Sequence, residues 1–285
     1  MPIDDILGRC WFKYRSIFRG EVPSRKNRDL QILRENTLWF GDRTQQNDRS
    51  ELKPLYYFSQ EGAISEADFD RNESARLGHL PQEVRAAKKA QFISETEQEN
   101  YLDLYRACAE EAVEEYLSSC VLCSFSRRGN IEAMWANYSA NHTGYALGFD
   151  PSVPWPAITK SRHSKDVLDL NFLAFNTVQY QDDYPRIDLD AAARGEPSDW
   201  VKQAFLTKHT QWQTEQEGRV IIDQALPANW AYPPDMLKVL VFGASISAED
   251  QAFLTSLSRD REHPPALFKA QHVRGQHDPE LRPID

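Results

Sequence analysis

Cysteine is scarce in this chain: Cys10, Cys108, Cys120 and Cys123 are the only four in 285 residues. A chain of this length can bury a sizeable core without cross-links, so a scaffold built on disulfides is excluded. Cys120 and Cys123 have the spacing of a metal or redox pair. They flank the apolar Val121-Leu122, however, where a strand sends residues three apart to opposite faces, and buried free thiols are the expectation. None of the seven histidines forms a His-x-x-x-His pair, so the sequence gives no support for a zinc site and no metal is expected.

Long apolar runs are also missing. No stretch approaches the roughly 20 residues of a membrane span. Met1 to Gly8 carries Asp4 and Asp5 where a secretory leader would have a basic and then an apolar segment. A cytoplasmic location with no membrane partner is therefore expected. There is no excess of basic charge: the formal net charge is −10, which argues against a general nucleic-acid binder. The charge is uneven, with seven basic residues against Glu21 between Arg9 and Arg28, and eight acids against Arg106 between Glu95 and Glu115. A small anionic ligand near the basic end is compatible with an acidic chain. A Gly-rich phosphate loop is absent as well, since Gly8 to Gly20 has the wrong spacing and no Gly-Lys-Ser/Thr occurs.

What remains is an ordinary globular composition, 41% hydrophobic and 27% charged. Cys10 to Ile17 alternates from Phe12 onward and suits a first strand with Lys13 and Arg15 on one face. Asp29 precedes a short helix ended by Asn36, and Thr37 to Phe40 follows as a brief strand. The charged segment from about 60 to 95, with Pro81 inside it, reads as short helices or an insertion. Glu97 to Leu117 is a helix whose acids form a solvated face. Cys120 to Ser126 is a buried strand, Ile131 to Ala140 a helix, and Tyr145 to Asp150 another strand. Val167 to Tyr180 is strand-like and Asp182 to Pro197 is a polar loop. Ser198 or Asp199 caps a helix from Trp200 to about His209 that carries Lys208. Leu237 to Phe242 is a buried strand, Ser247 starts a helix over Ala248 to Leu257, and Ala266 to Val273 closes the fold.

Strands in separate groups, several with connections too short for a helical crossover, indicate an α+β fold with a mixed, largely antiparallel sheet and flanking helices. We expect a single domain over residues 1–273 with a helical insertion at about 60–118, followed by a flexible tail over 274–285.

Lys208 to Asp223 is the stretch most suggestive of chemistry. A Trp-centred polar approach leads to Glu215-Gln216-Glu217-Gly218-Arg219 and then to the apolar Val220 to Ile222. If Glu215 to Glu217 is extended, the two carboxylates share one strand face at the mouth of a buried strand. A plain ion pair of Glu215 or Glu217 with Arg219 is the competing reading.

Lys13-Tyr14-Arg15, Ser124-Phe125-Ser126, Met134-Trp135-Ala136-Asn137-Tyr138, Gly144, Gly148-Phe149-Asp150, Trp212 and Glu215-Gln216-Glu217-Gly218-Arg219 follow one another in an order that covers nearly the whole chain. This set resembles a widespread bacterial domain family labelled as of unknown function. Leu237 to Gly243 fits that family's late strand. Asn47-Asp48 falls where the family places an Asn-Asp pair, although Arg49 stands where a proline is usual. The order Arg, Ser-x-Ser, Glu-x-Glu also resembles the arginine-serine-glutamate class of ADP-ribosyltransferases, which split NAD in a largely antiparallel split-sheet fold. The separation of Arg15 from Ser124 is longer than in the compact toxins of that class.

The resemblance implies an NAD-dependent mono-ADP-ribosyltransferase, or an NAD hydrolase, with NAD as co-substrate and a protein or nucleic acid as acceptor. A toxin, effector or phage-defence setting with a neutralising or regulatory partner is compatible with it. Glu217 would hold the ribose and stabilise an oxocarbenium-like transition state, and Glu215 would orient or deprotonate the acceptor. Arg15, beside Tyr14, would hold the pyrophosphate or ribose. Ser124 and Ser126 would line the nicotinamide pocket, with Trp135 and Tyr138 one helical turn apart as an aromatic wall. Two rivals stand beside this reading. One is a non-catalytic ligand-sensing or interaction module, and the other a metal-assisted hydrolase or nuclease using Glu215, Glu217 and Asp223.

Overall fold

The structure is a computed structural model, and it describes residues 3–17, 30–46, 51–59, 80–96, 101–155, 175–193, 200–222 and 225–284. Asn47-Asp48, the Ser198 or Asp199 cap, Asp223 and most of Val167 to Phe175 lie outside the described residues. The strands are, in chain order, β1 (Trp11–Arg15), β2 (Thr37–Phe40), β3 (Leu55–Tyr57), β4 (Val121–Ser126) and β5 (Tyr145–Phe149). They continue with β6 (Asn176–Thr177), β7 (Gln179–Gln181), β8 (Arg186–Asp188), β9 (Thr207–His209) and β10 (Glu217–Ile222). The last four are β11 (Ala228–Ala231), β12 (Leu237–Phe242), β13 (Ala266–Gln271) and β14 (Glu280–Pro283).

Two compact units emerge where one domain with an insertion is expected. The first comprises Met1–Arg49, Cys120–Asp182 and Lys208–Asp285, and the second Ser50–Ser119 with Asp183–Thr207. The first unit holds an eight-stranded sheet in the order β14-β13-β12-β5-β1-β4-β10-β6. All its pairs are antiparallel except β12 with β13, which run parallel and are joined through the helix Ala248–Arg259. The class expected from the sequence, α+β with a mixed, largely antiparallel sheet and flanking helices, is the class observed.

The central strands β5 and β10 are buried at every position, and β12 at all but one. Their sequences accordingly read as near-continuous apolar runs rather than alternations, the signature of strands covered on both faces. On one face Phe12 and Tyr14 of β1 pack with Trp135 and Met134 of the helix Glu132–Tyr138, and with Val239, Val241 and Phe268. On the other, Trp11 packs edge-on against Phe175, and Phe125 against Phe149. Gly218 belongs to this second face: a Cβ there would meet the Trp11 ring at 1.9 Å, so only glycine fits beneath the indole.

The sheet is thinnest between β1 and β4, which share a single paired position, Phe12 with Ser126. Beyond it the Lys13 ammonium donates to the Ser124 carbonyl at 2.6 Å, so a side chain takes over where the main-chain ladder stops.

Three local expectations are corrected here. The helix from Trp200 ends at Leu206, and Lys208 lies on β9, which pairs with β7. Helix propensity in Thr207-Lys208-His209 is middling, and strand pairing overrides it. The residues after 274 are not a loose tail, because β14 extends the sheet at β13 and Leu281 packs against the core. Proline at the end of that edge strand costs no ladder bond, which is why a Pro-bearing stretch can still pair. Cys108 falls at apolar spacing with Tyr101, Tyr105 and Ala112 in the helix expected over Glu97 to Leu117, yet it is exposed, while Cys10, Cys120 and Cys123 are buried free thiols.

The second unit contains the helices Gln82–Thr96 and Tyr101–Ser118 and the parallel pair β3 with β8. Val113 and Leu117 face inward, Tyr116 packs edge-on against Trp200, and Glu110, Glu111 and Glu115 are exposed, as a solvated acidic face requires. No helix among the described residues is long and apolar enough to cross a membrane.

Candidate functional site

The Glu215-Gln216-Glu217 segment is a turn, not an extended strand. Glu215 ends a 3₁₀ helix, Thr210–Glu215, whose first turn is capped by the His209 imidazole accepting from the Gln211 N–H at 3.1 Å. Gln216 then adopts a left-handed conformation, φ 46° and ψ 52°, and Glu217 opens β10. The turn is held on both sides: the Gln216 N–H donates to the Gln213 carbonyl, and the Gln216 carbonyl accepts from the Arg127 N–H. The two carboxylates converge all the same, by a route other than the shared strand face expected.

They converge on Lys208. Its ammonium lies 2.8 Å from Glu215 Oε2 and 2.8 Å from Glu217 Oε2, and 5.2 Å from the Trp212 ring centroid. Arg219 binds Glu217 in a fork, Nε to Oε1 at 2.8 Å and Nη2 to Oε2 at 3.1 Å. The Ser124 hydroxyl, diagonally across on β4, is also bonded to Glu217. Tyr138 Oη donates to Glu215 Oε1 at 2.5 Å, and Ser126 Oγ donates to the Glu215 carbonyl at 2.7 Å. Tyr180 Oη accepts from the Glu217 N–H at 2.7 Å. All four charged residues are buried, with 8% of Lys208, 6% of Glu215, 5% of Glu217 and none of Arg219 exposed. Two anions and two cations thus balance in a nearly dry site, the arrangement that makes buried charge tolerable.

Burial by itself would lower the Lys208 ammonium, but the two carboxylates outweigh it and hold it above its ordinary value. Burial pushes the Glu217 carboxyl up, while Lys208 and Ser124 pull the other way. With the Arg219 fork added to Lys208, the ionised carboxylate prevails at neutral pH. Burial brings the Arg219 guanidinium down to about 9, which leaves it charged at neutral pH.

The carboxylates differ in what they can still accept. An ionised carboxylate has about four lone-pair positions. Glu217 receives Arg219 Nε, Arg219 Nη2, Lys208 and Ser124, and is saturated. Among the described residues Glu215 receives Tyr138 and Lys208, which leaves it acceptor capacity there.

Beside the turn is an open cavity of about 980 Å³. Gln213, Gln216 and Tyr180 line it near the carboxylates, which are not themselves among its lining residues, and Arg127, Arg128, Asn130, Thr177 and Glu280 complete its polar lining. Arg127 is set by two contacts, Nη1 donating to Thr177 Oγ1 at 3.1 Å and the guanidinium lying 5.2 Å from the Trp11 ring centroid.

The structure therefore gathers Glu215, Glu217, Ser124, Ser126 and Tyr138 into one site. Trp135 and Tyr14 belong to the core instead. Trp135 is fully buried, its Nε1 donating to the Gly129 carbonyl, and it meets the Tyr14 ring edge-on at 5.0 Å. Tyr14 Oη donates to the Arg128 carbonyl and accepts from the Ile131 N–H. Trp135 and Tyr138 thus do not wall one pocket: Trp135 is enclosed in the core, while Tyr138 packs against the edge of that core and gives its hydroxyl to Glu215.

Arg15 is also displaced from its expected role. Phe12 pairs with Ser126, and Ser126 with Glu217, so these three share a sheet face. Arg15 is three residues beyond Phe12, opposite Tyr145, and projects from the alternate face with Lys13. The sequence reading that Lys13 and Arg15 share a face holds, but that face is not the one bearing Glu217.

Lys208 opens the stretch that the sequence singles out, but neither it nor Tyr180 is legible there as a partner of Glu217. Lys208 lies in a segment read as helix and Tyr180 in a polar strand, and no periodicity marks either as a partner of Glu217. Arg219 was legible only as the partner in a plain ion pair, which is one of its roles here.

No curated protein matches the chain, and no solved structure matches it. One family model does match, over a span that begins inside the helix Glu132–Tyr138 and ends inside β10, so that Tyr138, Lys208, Glu215, Glu217 and Arg219 fall within it and Arg15, Ser124 and Ser126 do not. Residues 134–220 of this chain are thus similar to a domain family described as a protein of unknown function, DUF2971, in keeping with the unknown-function family that the motifs resemble.

Proposed function

We propose that the sheet-bearing unit cleaves the bond between nicotinamide and ribose in NAD, passing ADP-ribose to a protein or nucleic-acid acceptor or to water. The observation that carries this reading is the order of three neighbouring strands. β4, which bears Ser-x-Ser, lies beside β10, which opens at Glu217, with Ser124 on Glu217 and with Glu215, at the end of the preceding 3₁₀ helix, joined to Glu217 through Lys208; β1 adjoins β4 on its other side. Nicotinamide departs with the electron pair of the broken bond as a neutral leaving group, so the developing positive charge on the ribose needs a nearby anion more than an acid.

In this reading the roles implied by resemblance are redistributed. Glu217, saturated by Arg219, Lys208 and Ser124, anchors the two cations. Glu215 keeps acceptor capacity and is the carboxylate for the ribose hydroxyls, the oxocarbenium charge and the proton of the incoming acceptor. Arg127, on the cavity rim, takes over from Arg15 as the contact for the pyrophosphate.

The test is release of nicotinamide from NAD by the purified protein, alone and with candidate acceptors. Glu215→Gln should remain folded at the assay temperature, with a lowered midpoint because Lys208 loses one of its two buried anions, and lose at least 100-fold in turnover, as expected when a charge-stabilising group is removed. Absence of release from the wild-type protein under all these conditions, or unchanged turnover in Glu215→Gln, refutes the proposal. The full engagement of Glu217 favours one rival, a ligand-sensing module on the same scaffold. That rival gains if NAD binds with measurable heat and stays intact.

A further inference from the structure

Away from the paired carboxylates, the same unit brings together Glu132, His142 and His272, one ligand atom from each lying within 4.8 Å of the others. Glu132 opens the helix Glu132–Tyr138, His142 stands in the left-handed turn after it with φ 66°, and His272 directly follows β13. We propose that these three side chains form a binding site for a divalent first-row transition ion, with zinc as the reference ligand and water in the fourth position.

The spacing supports this. His142 Nε2 is 3.0 Å from Glu132 Oε1, and His272 Nδ1 is 3.8 Å from Glu132 Oε2. A tetrahedral ion with bonds of about 2.0–2.1 Å holds its donor atoms about 3.4 Å apart, a value the two separations bracket. The second observation concerns Glu132 Oε2 itself, which is buried and has no hydrogen-bond partner among the described residues. An ordinary ion pair with His142 uses Oε1 and leaves Oε2 unexplained, and 3.8 Å to His272 is too long for a hydrogen bond. A shared ion held by Glu132 would give Oε2 the partner that the pair with His142 does not supply. His142 is itself 93% buried with its ring stacked on Trp135 and edge-on to His272, so two of the three ligands are already held in place.

Two imidazoles and one carboxylate suit zinc and its neighbours better than magnesium or calcium, which prefer all-oxygen sets. His142 Nδ1 has no partner among the described residues, so the usual outer-shell support is missing there. Affinity is expected about 10–100-fold below that of a site with a complete outer shell. The sequence could not show this site because its ligands stand at positions 132, 142 and 272, with no short spacing among them. Its bearing on the rest of the unit is mechanical: the helix that begins at Glu132 ends at Tyr138, the donor to Glu215.

Equilibrium dialysis of the full chain against zinc or cobalt(II) tests the proposal. One ion per chain is expected, with a rise in the thermal midpoint and cobalt d–d absorption free of a thiolate charge-transfer band. His272 is exposed and lies outside the strand, so His272→Ala should keep the metal-free midpoint, bind at least tenfold more weakly and lose the midpoint rise. His263→Ala, altering another exposed histidine, should leave binding unchanged. The proposal is overturned by no stoichiometric binding, by equal affinity of His272→Ala and wild type, or by a thiolate band showing that the ion sits on cysteine.

Discussion

The acids of the helix Tyr101–Ser118 and those of the Glu215–Glu217 turn are the same chemical groups in opposite surroundings. Glu110, Glu111 and Glu115 stand in water, where the solvent meets the cost of their charge. Glu215 and Glu217 are more than nine-tenths buried and share a lysine, an arginine, a tyrosine and two serines. Dense acidic charge in the sequence therefore says little about function. Two acids that the fold has withdrawn from water and supplied with cations say much more, because such a site is expensive to build and simple apolar packing would often be as stable.

The comparison is sharpest where one partner is removed. Glu217→Gln keeps the shape but leaves Arg219 and Lys208 without their shared anion, and should cost about 3–5 kcal/mol in denaturant unfolding. A loss under 1 kcal/mol would mean that water reaches the cluster and that burial is not what distinguishes it.

An intermediate effect is expected at high pH. The Lys208 ammonium is held above its ordinary value of 10.5, so the folded state keeps a proton that the unfolded state gives up. Stability from this source is fully present below about pH 10.5 and is lost as pH rises through the folded value. Thermal unfolding between pH 9 and 12 should therefore show a steeper decline in the wild-type protein than in Lys208→Met. Parallel curves would show that the pairing contributes no pH-dependent stability.

The smallest effect belongs to the other member of the comparison. Glu111→Gln on the exposed helix face should change stability by no more than about 0.5 kcal/mol. A larger loss would place that residue in a network and weaken the contrast.

Much of the framework was legible in the residues. Leu237 to Phe242 and Thr37 to Phe40 form strands with the bounds read from the sequence, and Ser247 caps its helix by accepting from the Asp250 N–H at 3.0 Å. These are local signals: an unbroken apolar run, a β-branched start, a hydroxyl before an acidic first turn. The edge strand Glu280–Pro283 was hidden, because a short paired edge carries charge and proline and looks like a tail. The site was half legible. Glu215, Glu217, Ser124, Ser126 and Tyr138 do meet, but the expected extended geometry gave way to a left-handed Gln216, and Arg15 fell on the other face through the period-two alternation of β1.

By itself the sequence determined where the chain forms helix and strand over most of its described length, which face of each element is apolar, and that two carboxylates stand ahead of a buried strand. Periodicity and capping are properties of neighbouring residues, and neighbouring residues are what a sequence records. The tertiary structure alone decided that Lys208 bridges Glu215 and Glu217, that Glu217 is saturated while Glu215 is not, and that Glu132, His142 and His272 meet. Those outcomes depend on strand order, register parity and the direction of a single turn, which are fixed only when distant segments pack against one another.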